Sequence, residues 1–95
     1  MYFITMIQIK NNEEEEDRRC VGYFDNFNEA EHIIINNTCD LNETIYNYGL
    51  IENIKSGLYQ YDENPIWYKF DEKSNKYFKC DRPKGFENYT GFAIG

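Results

Sequence analysis

The sequence predicts an α+β fold: a mainly antiparallel sheet of about five strands with one main helix packed on one face, in the order β-β-α-β-β-β. Three features of the chain lead there. Several short stretches rich in branched and aromatic residues are separated by polar turn residues, as strands are. A single stretch, beginning at Phe27, repeats apolar residues at helical spacing behind a capping pattern. The connections are short, which suits antiparallel neighbours rather than parallel crossovers. With 95 residues, 41% of them hydrophobic and 18% aromatic, residues 1–95 are expected to form one compact domain whose core leans on large rings.

Residues 2–10 open the fold as a strand apolar on both faces, with Phe3, Ile7 and Ile9 on one and Tyr2, Ile4 and Met6 on the other. Residues 11–17 carry five successive carboxylates, Glu13, Glu14, Glu15, Glu16 and Asp17, which repel one another and resist burial, so they are expected in an exposed hairpin loop. Arg18 and Arg19 partly neutralise it, and residues 20–24 return as the second strand. Asn26 then offers an N-cap with Glu29 three residues later. Phe27, Ala30, Ile33 and Ile34 give a helix apolar on one side and running to about Asn36, although three successive isoleucines leave a strand over 32–35 as an alternative. Residues 40–43 repeat the capping pattern and could start a further turn or two of helix.

Residues 46–54 read as the central strand. Tyr46, Tyr48, Leu50 and Ile54 lie on one face, and Ile51 lies beside the bare Gly49 on the other. A turn at 55–57 and an extended stretch at 58–61 lead to a polar loop at 62–65. Residues 66–70 alternate Ile66, Tyr68 and Phe70 against Trp67 and Lys69, residues 71–75 make a hairpin loop, and 76–80 pair back. Residues 81–85 break the sheet, Phe86 is placed to plug its edge, and the apolar stretch 91–95 is expected to tuck against the fold.

The formal net charge of -7 disfavours direct binding to a phosphate backbone, which needs clustered cations. It suits docking onto a basic groove, and it equally suits mere solubility. Cys20, Cys39 and Cys80 are odd in number and widely spaced, so neither a disulfide framework nor a zinc site is indicated. No run is long and apolar enough for a membrane span, and the first residues lack a signal-peptide pattern, so a cytoplasmic protein without membrane contact is expected. Three N-x-T matches, at Asn36, Asn42 and Asn88, carry no meaning without export.

Catalytic parts are few. His32 is the single histidine and reads as an exposed helix residue. No cysteine has a recognisable base beside it, and no glycine pattern cradles a phosphate. The expectation is therefore a protein that is not an enzyme and needs no cofactor or metal. Its candidate partner-binding residues are Glu13, Glu14, Glu15, Glu16 and Asp17 with Tyr59, Tyr61 and Trp67; the rings serve either as interface anchors or as core. The alternative is a nucleotide ligand stacked on Trp67 and held by Arg18, Arg19 and Arg82.

The residues Gly22-Tyr23-Phe24, Asn47 to Glu52, Gly57-Leu58-Tyr59, Trp67 to Phe70, Pro83 and Gly91 to Gly95 resemble a loose group of small uncharacterised proteins of low-GC Gram-positive bacteria and their phages. The likeness spans nearly the whole length and brings no known activity or site. It implies a mobile-element setting, where small acidic proteins often act as inhibitors of host defence. The leading expectation is thus an anti-CRISPR-like inhibitor that presents an acidic surface to a basic nucleic-acid-binding effector. The alternatives are a sink for a nucleotide immune signal and a host interaction module or homodimer.

Overall fold

The computed structural model describes residues 1–10, 15–37, 46–55, 64–86, 89 and 91. Its elements are β1 (Tyr2–Ile9), β2 (Glu15–Phe24), α1 (Phe27–Ile35), β3 (Tyr48–Asn53), β4 (Ile66–Asp71) and β5 (Lys76–Cys80). They form one five-stranded sheet in the order β2-β1-β3-β4-β5 with every pairing antiparallel. The α+β class and the element order are those the sequence predicts, and the strand expected at the centre is the central one.

Alternation along the strands sorts side chains onto two faces. On the first, Ile4, Met6, Ile51, Tyr68 and Tyr77 pack against Ala30 and Ile34 of α1. The helix begins where expected: the Asn26 side-chain oxygen accepts the Glu29 backbone N–H at 3.2 Å, satisfying one of the free donors of the first turn. On the second face, Ile7, Ile9, Leu50 and Trp67 form a separate cluster with Phe86, a residue that follows all the strands. The β4–β5 hairpin closes as read, with Asp71 accepting hydrogen bonds from the Ser74 amide and hydroxyl and with Asn75 at φ 57, a backbone region that asparagine tolerates well.

Three expectations need correction. The second strand starts at Glu15 rather than Cys20, so Glu15, Glu16 and Asp17 belong to β2 and not to a hairpin loop. The reason is that β2 is an edge strand in which Asp17, Arg18 and Arg19 are exposed, so a charged residue there carries no burial cost. Second, Tyr46 lies in the helix-side cluster while Tyr48 and Leu50 belong to the opposite face. Between them Asn47 interrupts the alternation. Its side chain accepts from the Ile9 amide at 2.8 Å and donates to the Ile9 carbonyl at 2.9 Å, standing in for a backbone partner at the end of β1. Third, Phe86 covers a face of the sheet, ring against Trp67 at 5.7 Å, and does not plug the edge. The second capping pattern at 40–43, the turn and extended stretch at 56–61 and the apolar stretch 92–95 lie outside the described residues.

Candidate functional site

Residues 15–17 of the acidic run lie in β2, which pairs with β1 alone among the described strands. Glu15 stands opposite Ile9, Asp17 opposite Gln8, Arg18 opposite Ile7 and Arg19 opposite Met6. The register shifts twice, between Gln8 and Ile9 and between Ile4 and Thr5. Such bulges twist an edge and hinder its pairing with another sheet. Asp17, Arg18, Arg19 and Cys20 are all exposed. Asp17 also accepts the Arg18 amide at 2.8 Å, which ties its carboxylate to the strand. Glu13 and Glu14 lie outside the described residues, as do Tyr59 and Tyr61.

Trp67 is not available as a surface anchor, nor as a stacking platform for a nucleotide. It is 2% exposed and boxed in by Tyr48, Phe86 and Tyr89 with ring centroids 5.7 to 6.5 Å away. Nor do the arginines converge. Arg18 and Arg19 are successive residues of one strand and so point to opposite sides of the sheet. Arg82 follows β5, at the far edge from β2. The proposed nucleotide set of Arg18, Arg19, Arg82 and Trp67 is therefore not brought together.

The folded chain makes other groupings that the sequence did not suggest. Arg18 lies over the Tyr89 ring at 5.8 Å and Lys69 over the Tyr48 ring at 5.9 Å, both on the face opposite α1. Phe78 on the same face is 53% exposed, and Tyr23, stacked against Phe3 at 5.5 Å, is 62% exposed. On the helix side the Tyr68 hydroxyl donates to Glu31 at 2.5 Å, and Lys79 reaches the same carboxylate at 3.5 Å. Burial first, then the Glu31 hydrogen bond and charge, raise the Tyr68 pKa far above that of a free tyrosine. This trio pins α1 to β4 and β5.

Glu52 is the least expected member. A carboxylate in an apolar strand reads as an outward-facing residue, yet Glu52 is 1% exposed and accepts the Gly91 amide at 3.1 Å. No alternation within β3 could reveal this, because the covering segment comes from far along the chain.

His32 is exposed, as read, and contacts the Asn36 side chain at 3.2 Å. Cys80 is half-buried and its thiol pKa is pushed up, chiefly by burial, with Lys69 opposing and Asp81 assisting. Among the described residues no group of three or more His, Cys, Asp or Glu could hold a metal ion, and no helix is long and apolar enough to cross a membrane. An open groove of about 490 Å³ lies between Tyr2, Phe27, Ile51, Asn53, Asn64 and Ile66.

Comparison with known proteins gives the chain no relatives: no family model, curated protein or solved structure matches it.

Proposed function

We propose that the protein is a non-enzymatic inhibitor of mobile-element origin that works in the cytoplasm, docking its acidic edge into the basic nucleic-acid channel of a bacterial antiviral effector in the manner of an anti-CRISPR. One observation supports this most: residues 15–17 of the acidic run are held in the register of an edge strand. Successive strand residues alternate between faces, so the edge offers negative charge along a line without copying the charge spacing of a nucleic-acid strand. Preformed backbone also spares the ordering cost that a loose acidic loop would meet on binding.

The test is calorimetric titration against purified, guide-loaded effector complexes at about 50 mM and about 300 mM salt, a range over which surface charge interactions are strongly screened. Binding should weaken as salt rises and should fall again when Glu13, Glu14, Glu15 and Glu16 become Gln. Salt-independent binding unaffected by these changes would refute the reading.

Sequestration of a nucleotide signal is the second reading. It rests on the two cation–ring pairs, Arg18 with Tyr89 and Lys69 with Tyr48, which share one face. A thermal-shift screen with cyclic nucleotides separates the two readings, since a tight ligand raises the melting temperature.

A further inference from the structure

The two outer strands of the sheet are built differently. β2 shifts register twice against β1, whereas β5 keeps continuous register with β4, from Lys76 opposite Asp71 to Cys80 opposite Trp67. Among the described strands β5 pairs with β4 alone, so its outer side is an edge of the kind to which another strand can add. Alternation puts Lys76, Phe78 and Cys80 on the face opposite α1, and Tyr77 and Lys79 on the helix side. Lys76, Phe78 and Lys79 are all exposed. Lys79 meets Glu31 at 3.5 Å, but its side chain stays 61% exposed, so solvent weakens that pair and the ammonium can serve a second carboxylate.

Charge decides what kind of strand would add. Six of the ten cations of the chain, Lys69, Lys73, Lys76, Lys79, Arg82 and Lys84, fall within residues 69–84, against three carboxylates there. The rest of the chain is strongly acidic, since the whole carries a net charge of -7. The β5 edge is therefore a locally positive border on a negative molecule, and it favours a negatively charged segment. A second copy is a poor match, because lysines on an edge strand repel the same edge of another molecule. A nucleic acid would bring the charge but no peptide groups to continue the ladder, and nothing suited to the exposed Phe78 ring other than a base.

We infer that the outer edge of β5 takes an acidic peptide segment of a partner protein as a sixth, antiparallel strand. Directly opposite residues of an antiparallel pair share a face, so the register can be read from β5 itself. The segment places a carboxylate opposite Lys79, an apolar side chain opposite Phe78, any residue opposite Tyr77 and a second carboxylate opposite Lys76. Its pattern, in chain order, is acid, apolar, any, acid. Main-chain hydrogen bonds supply the affinity and these side chains the selection. The site lies at the other end of the sheet from the acidic edge and does not depend on it.

The probe is the fluorescein-labelled peptide Thr-Glu-Ile-Thr-Glu-Thr, titrated against the full chain by fluorescence anisotropy. Saturable sub-millimolar binding is expected, and it should be at least about 10-fold weaker when both peptide glutamates are Gln, an arm that needs no variant to fold. With isotope-labelled protein, the amide shifts caused by the peptide should concentrate in residues 76–80. Lys76→Glu combined with Lys79→Glu should also weaken binding by at least about 10-fold, and a peptide with Lys for both glutamates should regain it on that double variant. Such a rescue requires the charges to stand opposite one another. No saturable binding by the wild type, equal affinity for the Glu and Gln peptides, or an oligothymidylate that competes as well as the acidic peptide would overturn the inference. So would a wild-type dimer in sedimentation that Phe78→Ser dissociates, since the edge would then belong to a second copy.

Discussion

Gly49→Ala tests whether the helix and the central strand meet as closely as the packing indicates. Gly49 faces α1, and a Cβ at this position would overlap Ile34 Cδ1, lie 3.1 Å from Ile34 Cγ1 and sit 3.5 Å from the Met6 sulfur. Ile34 and Met6 are fully buried, so neither has open space to retreat into. Overpacking of this kind costs about 1 to 3 kcal/mol. Replacing glycine inside a strand returns roughly 0.5 to 1 kcal/mol through the unfolded chain. The net expectation is a loss of about 1 to 2 kcal/mol, or a melting temperature lower by roughly 5 to 15 °C for a domain of this size.

Ile34→Val removes the offending Cδ1 and alone should cost about 0.5 to 1.5 kcal/mol. Combined with Gly49→Ala it should do less harm than the sum of the two, with a coupling of about 1 kcal/mol. Urea denaturation followed by circular dichroism measures all four proteins, and an unchanged slope shows that stability alone has shifted. Strict additivity, or a Gly49→Ala protein as stable as the wild type, would refute the close approach of α1 to β3.

Two further outcomes follow from buried titratable groups. Tyr68→Phe should cost about 1 kcal/mol at neutral pH, the low end for a bond to a charged acceptor because Glu31 can turn to water. Tyr68 keeps its proton in the folded state above pH 10, where the unfolded chain releases it. The unfolded state then binds fewer protons, so stability falls as pH rises past about 10. Denaturation at about pH 9 and pH 11 should accordingly show the gap between wild type and Tyr68→Phe shrinking, and a constant gap would contradict it. For the thiols, mass-mapped alkylation near pH 8 should label exposed Cys20 well before Cys80, whose ionisation is opposed by burial.

Much of the architecture could be read from local pattern alone. Residues 66–70 and 76–80 became β4 and β5 nearly to the residue because alternation and turn chemistry agree there. Asn26 and the spacing of Ala30 and Ile34 placed α1 on the sheet for the same reason. Alternation also put Trp67 on the correct face, but it could not say what lay across from it. The cover comes from Phe86, Tyr89 and Gly91, which show no period, so the sequence leaves Trp67 open between interface anchor and core and gives no sign that Glu52 is buried. The acidic run differs: repulsion among carboxylates argues against burial, and an edge strand satisfies that condition as well as a loop does. Arg18 and Arg19 are adjacent in sequence and share a charge, yet strand geometry sends them to opposite sides.

The strand order has one more implication. β1–β2 is a hairpin and β3-β4-β5 a meander, so within the sheet only the β1–β3 ladder, running from Tyr2 opposite Asn53 to Ile7 opposite Tyr48, stitches early residues to late ones. Asn47 clasps the Ile9 backbone near one end of that ladder. The molecule thus has a seam, and the ladder from Tyr2 opposite Asn53 to Ile7 opposite Tyr48 is where the residues before α1 and those after it meet in the sheet.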